Sequence, residues 1–287
     1  MSGLPFIQMF ITGIIMGLIY TLSALGITLI FGVMRVVNLV HAELTMLSAF
    51  FMYYLFEVWH INFFLSLILC AIAISLLGLF FQRYLYKPLR YELLNVLIIA
   101  TGAGIALRSL GWIIFGPLAR DISTVFPGMI RILGTPLSME RAAVALICLG
   151  LTIGLYVFLY KTKTGKALRA VEQDSEAAAV LGIRIDRVYV IVFIVSCILA
   201  AVAGAFTGML FAVEPEMGSE PLMKCIMIIM IGGMGSIPGA ILAGLLLGLI
   251  DSFSETLFGG EMAYIISFAL LMLVLIIRPR GFFGYQA

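Results

Sequence analysis

Four polar side chains, Arg35, Asn38, His41 and Glu43, fall within one short stretch of an otherwise apolar chain. A histidine and a carboxylate this close are the ingredients of an acid–base pair or a proton relay. Residues two apart do not share a helix face, so His41 and Glu43 can cooperate only where the backbone is unwound. Other constellations are thin. Gly165-Lys166 is the nearest approach to a phosphate-binding loop, but Ala167 stands where Ser or Thr is required, and no glycine stands five residues before Gly165. The chain cannot hydrolyse ATP by that route. The only histidines are His41 and His60, and His-Glu-x-x-His and Cys-x-x-Cys are both absent. Cys70, Cys148, Cys197 and Cys225 stand singly in apolar runs and read as buried bystanders. Metal and nucleophilic catalysis therefore have few candidates.

A second cluster lies in the polar segment 161–187. Asp174 is placed to accept from first-turn amides, Glu176-Ala177-Ala178-Ala179-Val180-Leu181 are mostly good helix formers, and Gly182 sits where a left-handed C-terminal cap belongs, ahead of Ile183. That spacing predicts a capped helix of about two turns, about 10 Å long. It reads as a rigid handle offered to another protein, or as an ordinary amphipathic connection.

The elements that must position these residues follow from composition. Of 287 residues, 63% are hydrophobic and 11% charged, with mean hydropathy +1.19, which excludes a soluble globular domain. Charge-free apolar runs recur at 1–34, 44–56, 61–82, 93–107, 142–160, 188–213, 225–250 and 262–277. Runs of about 17 to 20 residues cross the roughly 30 Å hydrocarbon core as helices. Period-two alternation in barrel-strand pieces is missing. The expectation is an all-α polytopic membrane protein of about eight membrane segments, forming one domain over 1–287. The start lacks the basic region of a removable signal. A net charge of +2 gives no ground for a nucleic-acid partner, because topology accounts for the basic residues.

Lys and Arg near helix ends mark the cytoplasmic side. Arg83, Lys87 and Arg90 form one such group; Lys161, Lys163, Lys166, Arg169, Arg184 and Arg187 form a second; Arg278 and Arg280 form a third. Glu214, Glu216 and Glu220 suit the outside. An odd number of crossings must then separate 214–220 from 278–280, and 262–277 supplies one, so 221–250 must supply an even number. Gly232, Gly233, Gly235, Ser236, Pro238 and Gly239 break that run in its middle. Each half is about 15 to 17 Å as helix, half the membrane. A re-entrant hairpin over 222–250, entering from outside and turning at mid-membrane, satisfies the count; two steeply tilted short helices also do. Either way 251–261 falls outside.

Interrupted segments in corresponding positions of two halves point to a transport pathway. On that rule 31–43 and 232–239 are the expected pair, with Asn38, His41 and Glu43 opposite the glycine break; a cytoplasmic loop with a local His–Glu pair is the other reading of 35–43. Arg108 is expected to snorkel to the outer interface. The segment 116–140, with Pro117, Pro127 and Pro136, is expected to be an irregular external loop, placed to meet an extracytoplasmic binding protein.

Several stretches carry a resemblance in order along the whole chain. Glu176 to Gly182 resembles the EAA-type loop of ABC importer permeases. GLIYTLSALGITLIFG (17–32), VNLVHAEL (37–44), LYKPLR (85–90), GGMGSIPGAILAGLLLG (232–248) and FALLMLVLIIRPRGFFG (268–284) resemble the branched-chain amino acid permeases, the LivH-like family. One departure stands at Ala42, where that family usually has glycine between His and Glu, a position that bears on close backbone approach. The resemblance implies a multi-pass permease of the bacterial or archaeal inner membrane. It implies a second, LivM-like permease, two cytoplasmic ATPases (LivG-like and LivF-like) that bind ATP and Mg and grip the handle, a soluble binding protein outside, and no cofactor in this chain. Urea and short-amide permeases resemble the same motifs, and a standalone proton-coupled carrier built on His41 and Glu43 is the distant rival.

Overall fold

In the computed structural model, residues 4–89, 93–132 and 134–284 are described; Arg90 of the first basic group lies outside them. No charged residue interrupts α1 (Leu4–Met34), which ends where Arg35 adopts a left-handed φ of 55°. The chain is irregular from there, with a turn at 39–40, until α2 (His41–Met52), which continues as a π-helical turn, Tyr53–Val58. Then come α3 (Phe63–Phe81), prolonged by a second π turn at Gln82–Tyr86, the short α4 (Lys87–Leu89) and α5 (Leu93–Phe115). The segment expected to be irregular contains a hairpin, β1 (Met129–Ile132) paired antiparallel with β2 (Thr135–Ser138). It is tied down because Arg120 exchanges backbone bonds with Val213 and donates to the Tyr54 hydroxyl (2.6 Å), while Ser123 donates to Glu57.

From α6 (Met139–Lys161) the chain passes directly into α7 (Lys163–Gln173), capped by Thr162, whose hydroxyl donates to the Phe158 carbonyl (2.6 Å) and accepts from Gly165 N–H (3.0 Å). Next come α8 (Ser175–Val180), α9 (Ile185–Leu210), α10 (Ser219–Gly232), α11 (Ile237–Phe258) and α12 (Gly260–Ile277). Among the described residues, seven helices are long and apolar enough to span a membrane: α1, α3 with its π turn, α5, α6, α9, α11 and α12. The all-α polytopic expectation holds. α10, and α2 before its π turn, are each about 18 to 21 Å long and fall short of the hydrocarbon core.

The helices form two halves of opposite direction. α1, α2, α3 and α5 make the first, α9, α10, α11 and α12 the second, and their contacts are reciprocal: α1 lies on α11 as α9 lies on α3, α2 touches α9 as α10 touches α1, and α2 meets α5 as α10 meets α12. The α1–α11 seam is antiparallel and made of small residues. A Cβ on Gly13 would come within 2.9 Å of Leu249 Cα, and one on Gly17 within 2.9 Å of Leu245 Cα. In a bilayer, where apolar side chains gain nothing by leaving lipid for protein, such close backbone approach is a main source of helix association.

This arrangement corrects two expectations. The glycine break does join α10 to α11, but the turn is not at mid-membrane. Gly233 (φ 99°) abuts Phe283 and Gly284, and Gly235 abuts Gly32 near the end of α1, so the turn lies level with the helix ends that carry Arg278 and Lys163. That gathering of basic residues is the cytoplasmic end. From the turn, α11 runs a full span to Phe258, so residues 251–258 are helix rather than external loop. The counterpart of the break at 35–40 is therefore 211–218, between α9 and α10.

Candidate functional site

Both half-length helices begin inside the bundle, N-terminus toward N-terminus. A Cβ on Gly218, which precedes α10, would overlap the Ala42 carbonyl in the first turn of α2. The close approach that Ala42 does not supply comes from Gly218 across the junction. Neither helix has a side-chain N-cap bond. Their positive dipole ends converge there, and each first turn carries a carboxylate that this polarity favours, Glu43 on α2 and Glu220 on α10.

The first polar cluster is gathered around this junction. His41 lies against Gly26, about 12 Å up α1 from its cytoplasmic end. Glycine is needed at 26 because a Cβ there would approach His41 Cε1 to 2.7 Å and Ser196 Oγ to 3.2 Å. His41 Nε2 is 3.5 Å from Ser23 Oγ. Asn38 accepts from the Tyr86 hydroxyl at 2.6 Å. Glu43 accepts from Arg108 on α5, from Nη2 at 2.6 Å and Nε at 3.1 Å. Asn38, His41 and Glu43 are each at most 2% exposed. Yet Asn38 Nδ2, His41 Nδ1, Glu43 Oε2 and Ser196 Oγ find no hydrogen-bond partner within the chain. Buried polar atoms left so are costly, about 1 to 3 kcal/mol each. These atoms are concentrated at one junction of interrupted helices.

Arg108 does not snorkel. It reaches inward to neutralise Glu43 and leaves a side chain 37% exposed. Its partner is on another helix, so spacing along the chain gave no sign of the pair. Tyr86, Ser23 and Ser196 escaped notice for the same reason. The cytoplasmic-loop reading of 35–43 fails for Asn38, His41 and Glu43, all buried among helices. Gly232, Gly233, Gly235, Ser236, Pro238 and Gly239 stand at a different level, in the cytoplasmic turn, where Ser236 caps α11 by accepting from Gly239 N–H (3.2 Å) and Pro238 occupies its first turn. The structure does not bring them beside His41.

The handle has the form its residues predict. Asp174 accepts from Glu176 N–H (2.9 Å) and Ala177 N–H (3.0 Å), a cap worth about 1 kcal/mol. Gly182 ends α8 at φ 84°, and Ile183 N–H donates back to the Ala178 carbonyl (3.1 Å). Ala178 turns inward, while Val180 and Leu181 are 88% and 80% exposed. These two apolar side chains stand together in the open at the cytoplasmic end. Beside the handle, Glu172 on α7 faces Gly32 and Gly235, linking the segment to the α1 end and the glycine turn.

A feature absent from the sequence reading lies on the other side of α10. Lys224 and Asp251 form a buried ion pair (Nζ to Oδ2 2.5 Å), and Ser267 on α12 donates to the second Asp251 oxygen. Among the described residues no group of His, Cys, Asp or Glu is arranged to hold a metal ion.

The comparisons with known proteins agree with this architecture. Residues 9–275 match the family model described as branched-chain amino acid transport system / permease component. The chain is 30% identical to the high-affinity branched-chain amino acid transport system permease protein BraD of Pseudomonas aeruginosa, over 97% of this chain and 96% of that one. It is 30% identical to the corresponding permease protein LivH of Salmonella typhimurium, over 98% and 96%. A shorter match, 31% identical over 44% of this chain and 37% of the relative, is to the autoinducer 2 import system permease protein LsrC of Yersinia enterocolitica. With the family model covering nearly its whole length, and seven spans in place, this multi-pass membrane protein belongs to the branched-chain amino acid permease family.

Proposed function

We propose that the chain is the transmembrane permease subunit of an ABC importer and moves branched-chain amino acids inward across the inner membrane by alternating access. The observation that carries this reading is the junction of α2 and α10, two half-length helices meeting N-terminus to N-terminus amid unpartnered Asn38, His41, Glu43 and Ser196 atoms. An amino acid brings a carboxylate for helix N-termini and donors for Glu43 and His41, so the same junction suits the polar end of every branched-chain cargo. Backbone opened at this depth is tolerated where it lines a cavity, which the inward- and outward-open forms would supply.

Power comes from partners. Two cytoplasmic ATPases, LivG-like and LivF-like, hold ATP and Mg and grip α8 through Ala177, Val180 and Leu181, with Asp174, Glu176, Gly182 and Ile183 keeping the handle stiff. Ala178 contributes from inside, fastening the handle to its own chain. Displacement of α8 passes through Glu172 to the α1 end and the glycine turn, and so to α10. A second, LivM-like permease completes the pathway, and a binding protein meets the hairpin side at 116–140. The chain itself holds no cofactor and binds no nucleic acid.

The test combines purification and uncoupling. Tagged chain isolated from native membranes in mild detergent is expected to bring down two ATPases and a second permease. Glu176→Lys and Gly182→Ile should keep membrane abundance while lowering transport per ATP hydrolysed by at least tenfold, since a β-branched residue is strained at φ 84°. A clean homo-oligomer without ATPases, or fully coupled transport in both variants, contradicts the reading.

A further inference from the structure

Lys224 and Asp251 are buried inside the bundle. Their side chains are 3% and 9% exposed, and counting along α10 and α11 puts them about 12 to 21 Å from the cytoplasmic helix ends, in the middle of the hydrocarbon core. Stability alone does not account for them. Taking two charges out of water costs as much as or more than their attraction returns, and an apolar pair of similar volume is often as stable or more so. Charges at this depth in a transporter are, by default, functional.

Each partner also has a second contact in place. Lys224 Nζ lies 5.2 Å from the centre of the Tyr264 ring on α12 and 5.9 Å from that of Tyr20 on α1. Asp251 keeps the Ser267 hydroxyl on its other oxygen. If α10 moves and the pair parts, the ammonium keeps aromatic faces and the carboxylate keeps a donor. The opposite end of α10 is held by weaker, purely backbone bonds: Phe282 N–H donates to Ile231 O (2.8 Å) and Phe283 N–H to Gly232 O (3.0 Å). In the other half, Glu43 and Arg108 join α2 to α5, the counterpart of α12 rather than of α11, and the Arg108 side chain stays 37% exposed.

We propose that Lys224 and Asp251 are positioning residues for translocation: a separable ion-pair latch that holds the half-length helix α10 against α11 and α12 in one state of the cycle and opens in another. The inference rests on the permease reading above. It assigns α10, rather than a spanning helix, as the element that shifts.

The experiment compares the complete complex carrying K224M/D251L, an apolar pair of similar bulk, with the charge swap K224D/D251K and the wild type. The apolar double is expected to reach wild-type abundance and assembly yet transport leucine at least tenfold more slowly, and the swap to recover at least threefold over it. A second readout does not depend on cargo. Met234→Cys, exposed in the turn at the cytoplasmic end of α10, is expected to change its thiol reactivity on ATP binding in the otherwise wild-type complex but not in the apolar double. Transport within twofold of wild type in the apolar double, an unaltered ATP response at position 234, or loss of assembly, which would make the pair structural, overturns the latch. Failure of the wild type to take up leucine while the position 234 response behaves as expected counts against the cargo and leaves the latch standing.

Discussion

Glu172 ties the handle segment to the ends of the membrane helices, lying against Gly32 and Gly235. Burial against the ends of α1 and α11 pushes its carboxyl above the ordinary range, and the Arg169 and Arg35 guanidinium groups pull it part of the way back. In the unfolded chain a glutamate ionises near its usual value of about 4.3. As pH rises past that value the unfolded state loses its proton first, so stability falls, and the penalty is complete above the raised folded value. Glu172→Gln is therefore expected to raise the thermal midpoint by about 2 °C at pH 7 and to give no gain at pH 4. A gain of the same size at both pH values would show that the charge is not the cause. At this scale the polar cluster 35–43 was legible, because ionisable residues stand out in an apolar chain. Its partners were not. Arg108, Ser196 and Tyr86 are distant in sequence and become neighbours only through the crossing of α5, α9 and the end of α3 with α2. Lys224 and Asp251 bracket the apolar run 225–250, and residues at the ends of such a run read as loop markers. Folding the run back at Gly233 to Ser236 instead sets them opposite each other.

The elements themselves were mostly legible, and the exceptions share a cause. Hydropathy locates spanning helices by length, and the caps of α8 follow from Asp174 and Gly182 because capping is local chemistry. Depth is not local. The glycines announced a turn between α10 and α11, but only the contacts with Gly32, Phe283 and Gly284 place it at the cytoplasmic end. The break at 211–218 was hidden because Glu214 and Glu216 mark it as an outside loop, although Gly218 returns to Ala42 within the bundle. Cysteines placed singly at Met234 and Glu255, both exposed, test the placement. With an impermeant thiol reagent on intact cells, position 255 is expected to react and position 234 to react only after the cytoplasmic face is opened. Reaction of 234 from outside, or of 255 only from inside, would refute the assigned direction of α11.

At the scale of the whole molecule, two halves of opposite direction each contribute one interrupted segment, one short helix and one ion pair, of which only Lys224–Asp251 is buried on both sides. The polar junction lies between them, and the proposed pathway passes through it. No run of the sequence announces that symmetry, since the halves share it in contacts rather than in motifs. On the proposed function, ATPase partners drive transport through this junction. Radiolabelled leucine uptake into proteoliposomes holding the purified complex, with Glu43→Gln in parallel, decides it. Accumulation is expected to require ATP, to be competed by isoleucine and valine but not by urea, to survive collapse of the proton gradient, and to fall at least tenfold in the variant. Uptake that needs no ATP, disappears with the proton gradient and proceeds without the ATPases would contradict it.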